Sequence, residues 1–205
     1  MAISREKFEE IRKNIGGHTS WAVWAPQSDE RKAKSGVSDL SIFNDETKLK
    51  EILPKLNPNI VLAGLNGSTG DGGEMGLVPF ANFHSNYSRA TDYKIRLTVT
   101  GTPLEGAFMT DVIKNHFETD SNKLKADLEA RPSYKEEKVE EFFSEILEVS
   151  TRPKIFAFGD YGYKIINEYN NNRFEVYKLT HYAATIKMDE MLKHTHRAIE
   201  IAGLA

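Results

Sequence analysis

Apolar residues along the chain follow two rhythms. Phe8, Ile11 and Ile15 recur at helical spacing, which predicts an amphipathic helix over residues 4–15. After Trp21-Ala22-Val23-Trp24-Ala25-Pro26, the polar stretch through Asn44 reads as a long surface loop. A short helix is predicted from Thr47; it ends or kinks near Pro54, which lacks an N–H and crowds the preceding turn. Then the rhythm changes. Ile60-Val61-Leu62-Ala63 is a continuous apolar run stopping at Gly64, as expected of a strand buried on both faces. Similar runs occur at Ala107-Phe108-Met109, Ile155-Phe156-Ala157-Phe158 and Phe174-Glu175-Val176-Tyr177, the last reading as an edge strand.

Helical patterns lie between these runs. One opens at Ser133 with Glu136 three residues on, a capping box, and would bury Val139, Phe142, Phe143, Ile146 and Leu147. Two more are predicted over 160–169 and 187–201, the last carrying Met188, Met191, Leu192 and Ile199 on one side. Strands alternating with helices predict an α/β fold: three α/β/α layers around a mostly parallel, four-stranded sheet. No repeat or Pro/Gly/Ser-rich linker divides the chain, so residues 1–205 read as one domain. Within it, residues 1–58 read as a helical and loop extension and 59–202 as the core, with Trp21 and Trp24 either packing the extension on that core or lying in an interface.

Composition narrows the chemistry. The absence of cysteine excludes disulfides, thiolate nucleophiles and Cys-ligated metals. No apolar run approaches the roughly 20 residues of a membrane span. Glu9-Glu10 falls where a signal peptide would be apolar, so the expected location is the cytoplasm. The net charge of −3 is concentrated in residues 116–150, leaving the remainder mildly positive and a phosphate-contacting face permitted. No His pair has metal-ligand spacing with a third ligand, so neither a metal nor a cofactor is expected.

In parallel sheets ligands bind beyond the carboxyl ends of the strands. There the first strand gives Gly64-Leu65-Asn66-Gly67-Ser68-Thr69-Gly70-Asp71-Gly72-Gly73, a loop whose backbone can approach a ligand closely. It has neither the Lys of a Walker loop nor the helix of a dinucleotide fingerprint. Pro79-Phe80-Ala81-Asn82-Phe83-His84 follows, offering rings that either stack on a planar ligand or plug the core. Thr110 and Asp111 end the second strand, as a donor and an acceptor at the same mouth or as helix caps. Thr180-His181-Tyr182-Ala183-Ala184 ends the fourth.

This series resembles the uracil-DNA glycosylase superfamily, closest to its mismatch-specific (G:U/G:T) branch, over residues 59–202. Gly64-Leu65-Asn66-Gly67-Ser68 is similar to the branch's G-I-N-P-G, Pro79-Phe80-Ala81 to its P-F-A run, Phe108-Met109-Thr110-Asp111 to the strand that helps recognise the base, and Thr180-His181-Tyr182-Ala183-Ala184 to H-P-S. Gly67 and Tyr182-Ala183 depart from it by replacing prolines that stiffen the loops. The resemblance implies hydrolysis of the N-glycosidic bond of a flipped uracil- or thymine-type base in DNA. Asn66 would orient water and His181 would hydrogen-bond the departing base; Asp71, in the loop, is the carboxylate considered to assist. Gly64, Leu65, Phe80, Thr110 and Asp111 would bind the base. Ser68, Tyr182 and Ile186 would contact DNA, Ile186 in place of the wedge. Two alternatives stay open. One is an inactive glycosylase-fold protein binding DNA, a nucleobase or a protein. The other is an unrelated α/β protein holding a phosphate or carboxylate on the glycine loop.

Overall fold

The computed structural model describes residues 3–27, 29, 32–67, 78–116, 118 and 120–205. Eight α-helices and five strands occur among them, in the order α1 (Arg5–Asn14), β1 (Thr19–Trp21), α2 (Ser41–Asn44), α3 (Glu46–Ile52), β2 (Asn57–Asn66), α4 (Asp92–Val99), β3 (Ala107–Ile113), α5 (Ser121–Ala130), α6 (Pro132–Val149), β4 (Lys154–Phe158), α7 (Asp160–Asn170), β5 (Val176–Leu179) and α8 (Met188–Ile201). The strands form one mixed sheet in the order β1-β3-β2-β4-β5. Four strands are parallel, and β1 runs antiparallel to β3 at the edge.

Helices cover both faces. On one, Phe8 and Ile11 of α1, Phe142, Phe143 and Ile146 of α6, and Ile165 and Ile166 of α7 pack on Val61, Ala63, Phe108 and Val112. On the other, Ile95 and Val99 of α4 and Ala198 and Ile199 of α8 pack on Ile60, Leu62 and Met109. Every residue of β3 is buried, the condition its apolar run requires. From β2 the chain moves to β3 on one side and then crosses to β4 on the other. Ligand sites of such sheets lie beyond the carboxyl ends at that reversal.

Several expectations are corrected. The sheet has five strands, not four. Thr19–Trp21 is too short for alternation to reveal, and residues 3–56 supply this strand as well as Phe8, Ile11, Trp21 and Phe43 to the main core. The last strand lies at Val176–Leu179, two residues beyond the predicted run. No capping box forms at Ser133, because Pro132 begins α6 and Ser133 is already helical. Leu147 is exposed rather than buried. Helices α2, α4 and α5 were not predicted; α2 falls in the stretch read as a surface loop and buries Ile42 and Phe43, while α5 has only Leu124 and Leu128 as buried residues and is started by Asp120, which accepts from the Asn122 and Lys123 amides.

Gly106 joins the end of β1 to the starts of β2 and β3: its N–H donates to the Ala22 carbonyl, and its carbonyl accepts from the Asn57 N–H. Its φ is +80°, and a Cβ there would lie 1.9 Å from the Lys55 carbonyl oxygen. Gly106→Ala is expected to destabilise the fold by about 2–4 kcal/mol, read as a lower denaturant midpoint.

Candidate functional site

The carboxyl ends of β2 and β3 meet in register, with Gly64 opposite Asp111. A Cβ at position 64 would fall 2.2 Å from Asp111 Oδ1 and 3.1 Å from the Phe83 ring, so only glycine leaves room for both. Asp111 Oδ2 accepts from Asn82 Nδ2 at 2.9 Å, and the same amide donates to the His18 carbonyl. Asp111 Oδ1 is buried and has no hydrogen-bond partner among the described residues. Burial pushes this carboxyl up to about 6, against the opposing pull of Asn82 and Lys114. An isolated carboxylate out of water is costly, so burial shifts its ionisation to higher pH.

Aromatic rings wall this position. Tyr182 makes edge contacts with Phe83 (6.4 Å between centroids) and Phe158 (5.2 Å), and His181 stacks on Tyr182 at 4.6 Å. His181 Nδ1 accepts the Ala183 N–H at 3.1 Å, and burial lowers the imidazole's pKa. A neutral ring so held carries its proton on Nε2 and is a donor there. Gly159, at φ +82°, lets the chain pass beneath this imidazole: a Cβ would sit 3.3 Å from its Cδ2. Asp92 accepts the Ser85 N–H and is raised by burial. The charges of Asp92 and Asp111, after burial itself, push the Tyr182 hydroxyl well above its ordinary range.

Asn66 ends β2 on the same side as Gly64, roughly 6.6 Å further along the strand. Its Nδ2 donates to the carbonyls of His116 (3.1 Å) and Glu118 (2.9 Å), which leaves Oδ1 as the accepting end. His116 is in turn held by Asp127 and Tyr134.

Two expected ligand contacts are corrected. Phe80 is fully buried in the α1 layer, its ring 5.2 Å from Phe8 and 5.3 Å from Phe43, and is closed to a base. Phe83 stands at the sheet mouth instead. Both have positive φ (64° and 62°), which sends rings three residues apart into opposite layers. Thr110 also faces away: its hydroxyl donates to Glu145 Oε1 at 2.6 Å, and Lys114 completes that buried group. Leu65 packs against the α1 side of the core. Ile186 is half-buried in the turn before α8. Ser68 and Asp71 lie outside the described residues. The structure therefore gathers Gly64, Asp111, His181 and Tyr182 and adds Asn82, Phe83 and Asp92. Of the additions only Phe83 had a sequence signal, its ring beside the glycine loop.

Among the described residues no three His, Asp or Glu side chains group as a metal site, and no helix is long and apolar enough to cross a membrane. Against protein-family models, curated proteins and solved structures, the chain has no match.

Two outcomes follow from this geometry. Phe80→Ala is expected to cost about 3–5 kcal/mol of stability, measured by denaturant unfolding, while ligand binding by the folded variant is retained. Asp111 has a folded pKa raised from 3.8 to about 6. Its stabilising contribution is thus complete below the unfolded pKa and lost as pH rises through about 6. Relative to Asp111→Asn, the wild type should lose on the order of 3 kcal/mol between pH 4 and pH 8, seen in paired unfolding curves.

Proposed function

We propose that the chain is a DNA-acting protein of the uracil-DNA glycosylase type. It takes one nucleobase into the slot at the carboxyl ends of β2 and β3 and hydrolyses its N-glycosidic bond. The observation that carries this reading is the buried Asp111 carboxyl, bonded on one oxygen to Asn82 and unpartnered on the other beneath aromatic walls. Planar rings with a few converging polar atoms form the kind of surface that reads the edge of a flipped base.

Charge develops in two places as the bond breaks: positive on the sugar and negative on the departing base. His181 supplies Nε2–H to an acceptor atom of that base, stabilising charge that exists mainly in the transition state. Asn66, its amide nitrogen tethered by two carbonyls, presents Oδ1 to a water molecule and orients it toward the sugar carbon. An amide is a poor base, so turnover is slow. Phe83 takes the ring role that Phe80 cannot fill.

A second reading is favoured by the position of Phe83: a glycosylase-fold protein that binds DNA or a base without cleaving it. In this structure the Phe83 ring occupies the space over Gly64.

The test is base release from duplexes carrying uracil or thymine opposite guanine, from mispaired cytosine and adenine, and from single-stranded DNA. Asn66→Ala and His181→Ala are each expected to slow release by about 100-fold. Salt-dependent DNA binding without release would establish the second reading. Neither binding nor release would overturn both.

A further inference from the structure

Resting on the base-binding reading of this site, we propose that the slot bounded by Gly64, Phe83, Asp92, Asp111 and Tyr182 prefers an amino-substituted base, of cytosine or adenine type, over uracil or thymine.

The charge pattern of the slot carries this inference. Two carboxyl groups face it, and among the described residues neither has an ion-pair partner. Lys114, the nearest cation on Asp111's own strand end, spends its ammonium on the Asp111 backbone carbonyl and on Glu145. Asn82 is also fully used: its nitrogen serves Asp111 and His18, and its oxygen accepts the Phe83 N–H. Among the described residues, Asp111 Oδ1 is a buried side-chain atom at the base of the slot that has no partner. Asp92 takes a single backbone N–H on Oδ2, and its negative charge is felt by both Asp111 and Tyr182. Lys34 eases Asp92 but is occupied by the Tyr87 and Ser88 carbonyls. Such a slot offers acceptors and a negative field, so it selects a ligand edge rich in donors.

The bases differ on this point. Uracil and thymine present a ring N–H flanked by two carbonyl oxygens, and two of those three atoms would be repelled. Cytosine and adenine present an exocyclic amino group as a donor. The ring nitrogen beside it can take up a proton, which converts the edge into two adjacent donors carrying positive charge. That edge matches a carboxylate in a charge-assisted pair. A carbonyl in place of the amino group leaves Asp111 Oδ1 facing another acceptor inside a low-dielectric wall, where mispairing is penalised most heavily.

The experiment is isothermal titration of the full chain with four model bases, 1-methylcytosine, 1-methyluracil, 9-methyladenine and 9-methylhypoxanthine. Each pair differs chiefly in an amino group exchanged for a carbonyl. The amino member is expected to bind at least tenfold tighter in each pair. Asp111→Asn, nearly isosteric, should lower that ratio to threefold or less. A companion measurement that needs no variant is the 13C resonance of the Asp111 carboxyl, expected to shift with 1-methylcytosine and to stay still with 1-methyluracil. Equal or tighter binding of the carbonyl members, or an unchanged ratio in Asp111→Asn, would overturn this inference while leaving the base-binding reading in place. Binding of none of the four, together with no DNA binding, would overturn both.

Discussion

A carboxyl group enclosed between the two central strands governs the carboxyl end of this sheet. Asp111 is tolerated there because position 64 has no side chain, because Asn82 supplies one donor, and because the group can hold a proton. Each condition comes from a different segment of chain. Removing water from an unpaired carboxylate costs several kcal/mol, more than one neutral hydrogen bond returns. The remaining deficit is the physical basis for reading this place as a site rather than as core.

The segment that covers it is anchored twice. Phe80 is locked into the α1 layer by its ring contacts, by its N–H to the Gly16 carbonyl and by its carbonyl's bond from Ser20. Three residues later Phe83 drops into the α4/α8 layer. Asn82 between them ties the turn to β3 and to His18. The residues from Pro79 to His84 thus bridge both layers across the end of the sheet, and the aromatic wall inherits their rigidity. The end of β2 has a separate tether, through Asn66 to the carbonyls that follow β3.

The layered α/β architecture was legible in the sequence because Ile60-Val61-Leu62-Ala63 and Ala107-Phe108-Met109 are uniformly apolar, and a strand needs that pattern when helices cover both its faces. Thr19–Trp21 was not, because three buried residues have no period. Helix α5 escaped because two leucines four apart are too few to distinguish a helix from a loop. At the site, Gly64, Asp111 and His181 could be singled out because each comes just past an apolar run, although Gly64 and Asp111 are still within β2 and β3. The choice of Phe80 over Phe83 could not be made, since it turns on two positive φ angles that a phenylalanine does not announce. Thr110 and Asp111 differ only in parity along a strand, and burial on both faces hides which side is which. Asn82 and Asp92 act through contacts across the fold, with 29 residues separating Asn82 from its carboxyl partner.

Strand β1 has a consequence for how the molecule is made. Thr19 pairs with Thr110, and Trp21 with Phe108. At ribosomal speeds of roughly 5–20 residues per second, the early segment waits on the order of ten seconds before its neighbour in the sheet is synthesised. Over that interval the Trp21 indole has no permanent shelter. The amino-terminal portion is therefore the part of the nascent polypeptide most exposed to chaperones and to wrong associations, although it ends as the sheet's edge.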